Sequence, residues 1–245
     1  MATLHRIPFH FHAEGHALSG EFRHPLWLQI QAQASTSLSQ IGGYATAQAE
    51  NFHLQDFVCF KSAHTHVSGR RGRDETFVTH ASTVVKGLNI LGIVTAERII
   101  SRLTSIHSPK EQEGHIIAED SRFEGLRIKG EVVDVILRHN LLVKCKTFDD
   151  LAKDIASDAK SGKIAEIKGG VAVCSLVEKI ETKLKGVDPR RHLIEVSNFG
   201  KIFLAEIYAE TGTRTLTMLR LELGSPHVAD LIAAETRTNG QPSPP

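Results

Sequence analysis

Apolar and polar residues alternate along much of this chain. Three glutamines interleave with apolar residues from Trp27 to Ala34, and alanines interleave with polar residues from Tyr44 to Glu50. A period of two residues is typical of an extended strand with one buried face and one wet face. The run from Gly87 to Leu103 opens apolar and then alternates, so it predicts one unusually long strand. The pattern as a whole predicts a mainly β protein.

Further extended runs follow in the rest of the chain. They are separated by segments rich in glycine, proline and charge, and they comprise residues 52–67, 123–128, 132–137, 171–180, 201–209, 215–223 and 228–236. A parallel α/β sheet needs a helix between most pairs of strands, and these connections are too short for that. Such spacing favours antiparallel sheets that form a sandwich or a closed barrel.

One segment has the pattern of a helix. Phe148, Leu151 and Ile155 fall on one helical stripe, and Thr147 with Asp150 has the spacing of an N-terminal capping box. We therefore expect one α-helix, at about residues 147–161, inserted between the strands. We also expect a single β-rich domain over residues 1–236 and a disordered, proline-rich tail over residues 237–245.

Composition and charge limit the kinds of partner and the cellular compartment that we expect. The 29 basic and 28 acidic residues leave a net charge of +1, so a broad surface for nucleic acid is absent. No segment approaches the ~18 apolar residues of a membrane span, and residues 1–11 lack the apolar core of a secretory signal. We expect a soluble, cytoplasmic protein, with export by a route without a cleaved signal left open. Cys59, Cys145 and Cys174 read as small buried apolar side chains.

Several short segments resemble the landmarks of a known family. They are Gly15-His16-Ala17-Leu18-Ser19, residues 92–98, residues 121–130, and residues 215–223 leading to Ala229-Asp230-Leu231-Ile232. In this order they resemble the bacterial choice-of-anchor P proteins and a wider set of uncharacterised bacterial proteins. The resemblance implies a β-rich fold without assigned enzymatic activity. This sequence departs from the exported members in showing no evident signal and no C-terminal anchor, which argues against attachment to the cell surface.

Histidines at alternate positions provide the sharpest chemical hypothesis. They are His10, His12 and His16 in one predicted strand and His64 and His66 in another. Alternate residues of a strand point the same way and neighbouring strands lie ~4.8 Å apart, so adjacent strands would bring three or four imidazoles around Zn²⁺, Cu²⁺ or Ni²⁺. The alternative is that these histidines are simply solvated. No other cofactor is expected.

A second candidate is a charged cleft. It comprises Glu97, Arg98, Arg102, Asp120, Arg122, Glu124 and Arg127. A carboxylate there could act as a general base while the arginines hold an anionic group. The competing interpretation is that these charges form ordinary cross-strand pairs.

Several enzyme classes lack their usual signatures. The chain contains no Gly-x-Ser-x-Gly elbow, no P-loop and no dinucleotide-binding glycine motif, and nothing in the sequence aligns a serine with a histidine and an acid. The sequence does not decide whether the protein is an enzyme, although it favours a non-enzymatic role. We expect a structural or interaction module that binds a protein partner or copies of itself, since long strands leave edges with unpaired backbone groups. The alternative is a metal-binding protein or metal-dependent enzyme that uses the histidines.

Overall fold

Two antiparallel sheets account for most of the chain. A computed structural model describes residues 9–108, 110–111, 113–160 and 165–242, and strands make up 64% of the protein. The strands are β1 (Phe9–Phe22), β2 (Leu28–Gln33), β3 (Thr36–Ser37), β4 (Gly43–Leu54), β5 (Val58–Arg71), β6 (Phe77–Ile90), β7 (Val94–His107), β8 (His115–Ile117), β9 (Arg122–Glu124), β10 (Arg127–Ile128), β11 (Glu131–Leu137), β12 (Glu166–Lys168), β13 (Val171–Ser175), β14 (Val177–Thr182), β15 (Leu193–Val196), β16 (Gly200–Glu210), β17 (Thr213–Leu223) and β18 (Ala229–Pro242). The predicted fold class, mainly β with antiparallel sheets, is confirmed.

The order of the strands defines the two sheets. Sheet A runs β12-β13-β16-β17-β18-β1-β2, with β15 beside β16 and β3 beside β1. Sheet B runs β14-β11-β10-β7-β6-β5-β4, with β8 and β9 beside β7. Within the described ranges, no helix is both long and apolar enough to cross a membrane.

The helices are α1 (Leu141–Lys144) and α2 (Phe148–Lys160), and α2 corresponds to the predicted helix. The capping box is present: the Asp150 amide donates to Thr147 Oγ1 at 3.2 Å, and the Thr147 amide donates to the Asp150 carboxylate at 3.4 Å. Leu151 and Ile155 are fully buried in the main core. Residue 161, the predicted end of the helix, lies outside the described residues.

The interior between the sheets holds two apolar clusters with hydroxyl groups between them. The larger cluster draws on both sheets and on α2, and the smaller one centres on Phe9, Phe11 and Phe77. On β5 and β6, Thr65 and Thr83 lie between residues of the two clusters, and their hydroxyls are 3.2 Å apart. A buried hydroxyl needs a hydrogen-bond partner. The Thr65 and Thr83 hydroxyls are within hydrogen-bond distance of each other, and that of Thr83 also bonds to the opposite sheet.

The two sheets are in direct contact beside these hydroxyls. Thr83 Oγ1 of sheet B donates to the carbonyl of Glu235 in sheet A at 3.1 Å. A Cβ atom on Gly15 of β1 would lie 2.7 Å from Thr83 Oγ1 and 2.9 Å from the Glu235 carbonyl. Glycine at position 15 is therefore what lets β1 lie against β6.

Each sheet is crossed by a row of positions at which the pairing of neighbouring strands is interrupted without a change of register. In sheet A the ladder is interrupted at the same level in four strands, at Ala17, Ala234, Met218 and Ala205. In sheet B it is interrupted at Asn51, Lys61, Gly87 and Glu97. Positive φ angles occur in alternate strands of each row, at Ala205 and Ala234 and at Asn51 and Gly87. Across each row the buried side chains change from one parity to the other.

Several sequence predictions are wrong. Residues 52–67 and 171–180 are not single strands, since the first run is divided between β4 and β5 and the second between β13 and β14. The predicted strand from Gly87 to Leu103 is two strands, because a turn at residues 91–93 separates β6 from β7. The Asn89 side chain accepts the amide of Gly92 at 2.8 Å, and Gly92 has a φ of 66°. Residues 237–242 are not a disordered tail: they extend β18, which pairs with β1 on one side and, as far as Asn239, with β17 on the other. Residues 243–245 lie outside the described ranges.

Candidate functional site

The structure places the two groups of candidate histidines on different sheets. His10, His12 and His16 belong to β1, whose neighbours are β18, β2 and β3. His64 and His66 belong to β5, whose neighbours are β4 and β6. In both strands the histidines alternate with buried residues, so they emerge on opposite outer faces of the sandwich. The prediction that these strands are adjacent is wrong.

A metal site is therefore not assembled from these histidines. Among the residues that the structure describes, no group of three or more His, Cys, Asp or Glu side chains is arranged to hold a metal ion. On the outer face of sheet B, the ring of His66 lies 6.2 Å from that of His80, and His80 Nδ1 is 3.0 Å from Thr104 Oγ1. Burial lowers the pKa of His80, and His66 and Arg102 lower it further.

The β1 histidines line two clefts on the outer face of sheet A. His10 and His12 line a cleft of about 240 Å³ together with Gln40 and Asn239. His16 lines a cleft of about 420 Å³ under the connection between β2 and β3. Both clefts reach Arg237, which pairs with Glu14 at 3.4 Å. This face offers charged and neutral hydrogen-bonding groups side by side.

His16 has the most specific contacts of the five histidines. Its Nε2 atom is 2.7 Å from Ser19 Oγ, and its Nδ1 atom is 3.9 Å from a carboxylate oxygen of Glu235. The other carboxylate oxygen of Glu235 accepts a hydrogen bond of 2.6 Å from Thr217. Burial lowers the pKa of His16, while Glu235 and Glu14 act in the opposite direction.

Sequence reasoning missed this cluster. Ser19 and Glu235 lie at opposite ends of the chain, and a serine three residues after a histidine in a regular strand would point to the other face. The signal in the sequence was Ala17-Leu18, two adjacent apolar residues in an otherwise alternating strand. Both are buried, and the resulting change of parity turns Ser19 to the face of His16.

Five of the seven residues of the predicted charged cleft come together on sheet B. Glu124 pairs with Arg98 at 3.2 Å and with Arg122 at 2.8 Å, and Asp120 pairs with Arg102 at 3.0 Å. Arg98 and Glu124 are direct cross-strand partners. Both carboxylates of this group are thus engaged by arginines, as the cross-strand interpretation expects.

The other two residues, Glu97 and Arg127, line a different cleft. It measures about 330 Å³ and includes Lys61 and Lys86. Glu97 packs so closely against Gly125 that a Cβ atom there would lie 2.5 Å from Glu97 Cγ. The seven residues therefore do not form one catalytic cleft.

Sheet A also contains a buried ion cluster that the sequence did not reveal. Glu206 accepts hydrogen bonds from Arg220 at 2.6 and 3.1 Å and lies 3.4 Å from His192. Burial alone would raise the pKa of Glu206, but hydrogen bonds from His192 and Arg220 outweigh it and lower the pKa. The Arg220 guanidinium also stacks on Phe203, 3.7 Å from the ring centre. This arrangement is suited to holding the sheet together.

Strand β4 forms an exposed edge of sheet B. β4 pairs with β5 along its length and, in the described part of the chain, with no strand on its other side. Its twelve residues contain no lysine, arginine or proline and only one acid, Glu50. Beside its start, Ile41 and Tyr44 are 70% and 79% exposed. Edge strands are usually protected by charge, proline or a covering segment.

Comparison with known proteins identifies a family for this chain. The family described as Domain of unknown function (DUF8256) matches residues 9–168. The chain belongs to this family. The DUF8256 region includes β1 to β12 and both helices, whereas β13 to β18 lie beyond it. No curated protein and no solved structure matches the chain.

Proposed function

We propose that this DUF8256 protein is a self-associating structural module whose copies join through strand β4. The single observation that carries the proposal is a twelve-residue edge strand that is exposed along its length and lacks the usual protective residues. The unpaired N–H and C=O groups of such an edge gain hydrogen bonds when another strand is added.

The sequence of β4 suits pairing with a second copy of itself. In an antiparallel pair centred on Ala47, Thr46 of one copy lies opposite Gln48 of the other, and Tyr44 lies opposite Glu50. On the other face Ala45 meets Ala49. No like charges face each other, and each polar residue has a polar partner, which is the condition for a favourable cross-strand pair. The product is one continuous sheet that contains both copies of sheet B.

A second part of the proposal concerns the cellular compartment and the resemblance to a known family. Cys59 and Cys145 form no disulfide. Cysteines outside disulfides are typical of a reducing compartment, so we infer a cytoplasmic location. The resemblance to choice-of-anchor P proteins, whose members have no assigned enzymatic activity, agrees with a structural role.

The test uses matched pairs of lysines. In Thr46→Lys/Gln48→Lys, lysine faces lysine twice across the proposed pair, so the oligomer is expected to dissociate. The control is His64→Lys/His66→Lys, because these residues are the β5 partners of Gln48 and Thr46 and add the same charge one strand away from the edge.

Light scattering and sedimentation at several protein concentrations give the readout. The expected result is an oligomer for the wild type and for the control, and a monomer for the β4 variant. A wild type that is monomeric at every concentration would overturn the proposal, and so would a β4 variant that stays assembled.

A further inference from the structure

The row of interrupted pairs in sheet A brings a serine and a histidine together on one outer face. Along β1, His10, His12, Glu14 and His16 face outward, Ala17 and Leu18 are both buried, and Ser19 faces outward again. In a regular strand residues 16 and 19 would point to opposite faces. The change of parity at Ala17 and Leu18 removes that difference, and Ser19 Oγ lies 2.7 Å from His16 Nε2.

The third member of the cluster comes from the neighbouring strand. Glu235 is the direct cross-strand partner of His16, and one of its carboxylate oxygens lies 3.9 Å from His16 Nδ1. The other oxygen is held by Thr217 Oγ1 at 2.6 Å. A serine at the far nitrogen of an imidazole, with an acid beside its near nitrogen, has the order of groups that activates a serine nucleophile. At 3.9 Å the carboxylate acts on the imidazole through its charge and not through a hydrogen bond.

We propose that Ser19, His16 and Glu235 form a catalytic triad that hydrolyses carboxylic esters. Ser19 Oγ attacks the ester carbonyl carbon as His16 Nε2 takes the hydroxyl proton. The tetrahedral intermediate then expels the alcohol, which receives that proton from His16, and leaves an acyl group on Ser19. Water attacks the acyl group, His16 takes a proton from the water and returns it to Ser19, and the carboxylic acid departs. This activity goes beyond the proposed assembly through β4 and does not depend on it.

The surroundings of Ser19 suit a small ester on a polar molecule. Ser19 lines an open pocket of about 670 Å³, a volume that is typical of small-molecule sites. Its other lining residues include Gln29, Gln31, Arg220 and the acids Glu21, Glu222 and Asp230, so the lining is largely polar. Among the described residues the pocket opens on the surface of the sheet and does not enclose a long acyl chain. The substrate class is therefore short-chain esters.

The ionisation of His16 also suits a general base. Burial lowers the pKa of His16, so the imidazole is neutral at pH 7 and can accept the serine proton. The charged groups around it are Glu14 on its own strand and Glu235 and Arg237 on β18, with Arg237 paired to Glu14. Both glutamates raise the pKa of His16, and Glu235 has the larger effect.

Two probes test the proposal on the full chain: p-nitrophenyl acetate for turnover and a fluorophosphonate for covalent labelling. We expect the fluorophosphonate to label Ser19, as located by peptide mass spectrometry. We expect Ser19→Ala and His16→Gln to lower turnover by about 10³-fold or more. Ser62→Ala is the control, because Ser62 lies on β5 in the other sheet, away from the proposed triad. This variant should keep both labelling and turnover.

Glu235 acts through His16 and is tested by a pH profile. Because Glu235 raises the pKa of His16, Glu235→Gln should move the acid limb of kcat/KM to lower pH as well as lowering kcat. A purely structural Glu235 would not move that limb. Thermal melts confirm that each variant is folded. Failure of the folded wild type to label at Ser19, or turnover by Ser19→Ala equal to that of the wild type, would overturn the triad.

Discussion

Replacing Arg220 by methionine would remove the main partner of a carboxylate that has almost no access to water. The Glu206 side chain is 3% exposed and accepts two hydrogen bonds from Arg220. Methionine keeps an unbranched stem that can still pack against Phe203, so the substitution mainly removes charge and hydrogen bonds. Glu206 then retains His192, at 3.4 Å, and a weaker contact with Tyr208, at 3.5 Å.

The burial of the pair sets the expected size of the effect. Removing one member of a buried ion pair usually costs about 3–5 kcal/mol, because the other charge is left without compensation. An exposed ion pair contributes about 0–1 kcal/mol. Arg23 provides that comparison, since it pairs with Asp230 and both side chains are about half exposed. We therefore expect Arg220→Met to lower the free energy of unfolding by about 3–5 kcal/mol and Arg23→Met by less than about 1 kcal/mol.

Urea unfolding followed by far-ultraviolet circular dichroism measures both variants. Fluorescence is less informative because the single tryptophan, Trp27, is 68% exposed. The difference between wild type and Arg220→Met should also depend on pH. The pKa of Glu206 is lowered in the folded protein, so its contribution is complete above the ordinary carboxyl pKa and is lost as pH falls through the folded value. Equal losses for the two variants at pH 7, or a difference that stays constant down to pH 3, would refute this reasoning.

Two further predictions concern the interior. His107 is 1% exposed, neither ring nitrogen has a hydrogen-bond partner among the described residues, and burial lowers its pKa against the opposing effect of Glu111. The free energy of unfolding of the wild type should therefore be highest above pH ~6.5 and decrease as the pH is lowered from there. In thermal melts between pH 5 and 7.5, His107→Phe should show a smaller decrease. If the melting temperatures of the wild type and His107→Phe changed equally with pH, His107 would not be the source of the pH dependence. Gly15→Ala should lower the free energy of unfolding by about 1–3 kcal/mol, because the added methyl group overpacks the contact between the sheets. Gly15→Ala/Thr83→Ala should recover part of this loss in urea unfolding. No recovery would argue against contact with Thr83 as the cause.

The sequence was sufficient for features that depend on local patterns. Strand alternation indicated the β class, and the Thr147 and Asp150 spacing located the start of α2. The hairpin between β6 and β7 was missed because its turn contains Leu91 and Ile93, whose apolar side chains continue the pattern of the strands. Asn89 and Gly92, which close that turn, were the available signal.

The candidate sites were less accessible because they depend on which strands become neighbours. His16 and His64 have the same local pattern, yet β1 and β5 belong to different sheets. Conversely, Glu235 lies beside His16 because β18 returns along β1 from the far end of the chain. Alternation specifies which face of a strand is buried and carries no information about the partner of that strand.

The rows of interrupted pairs link the local sequence pattern to the pairing of strands. An extra residue in one strand alone would shift its pairing by one residue and turn every later side chain to the wrong face. Among β16, β17, β18 and β1 the pairing continues unshifted past the row, because all four strands are interrupted together, whereas the pairing of β1 with β2 shifts beside Ser19. The adjacent buried residues Ala17-Leu18 therefore belong to the same feature as Ala233-Ala234 on β18 and Leu204-Ala205 on β16. The meeting of Ser19 with His16 thus coincides with a feature that extends to β16 and β17, which do not pair with β1.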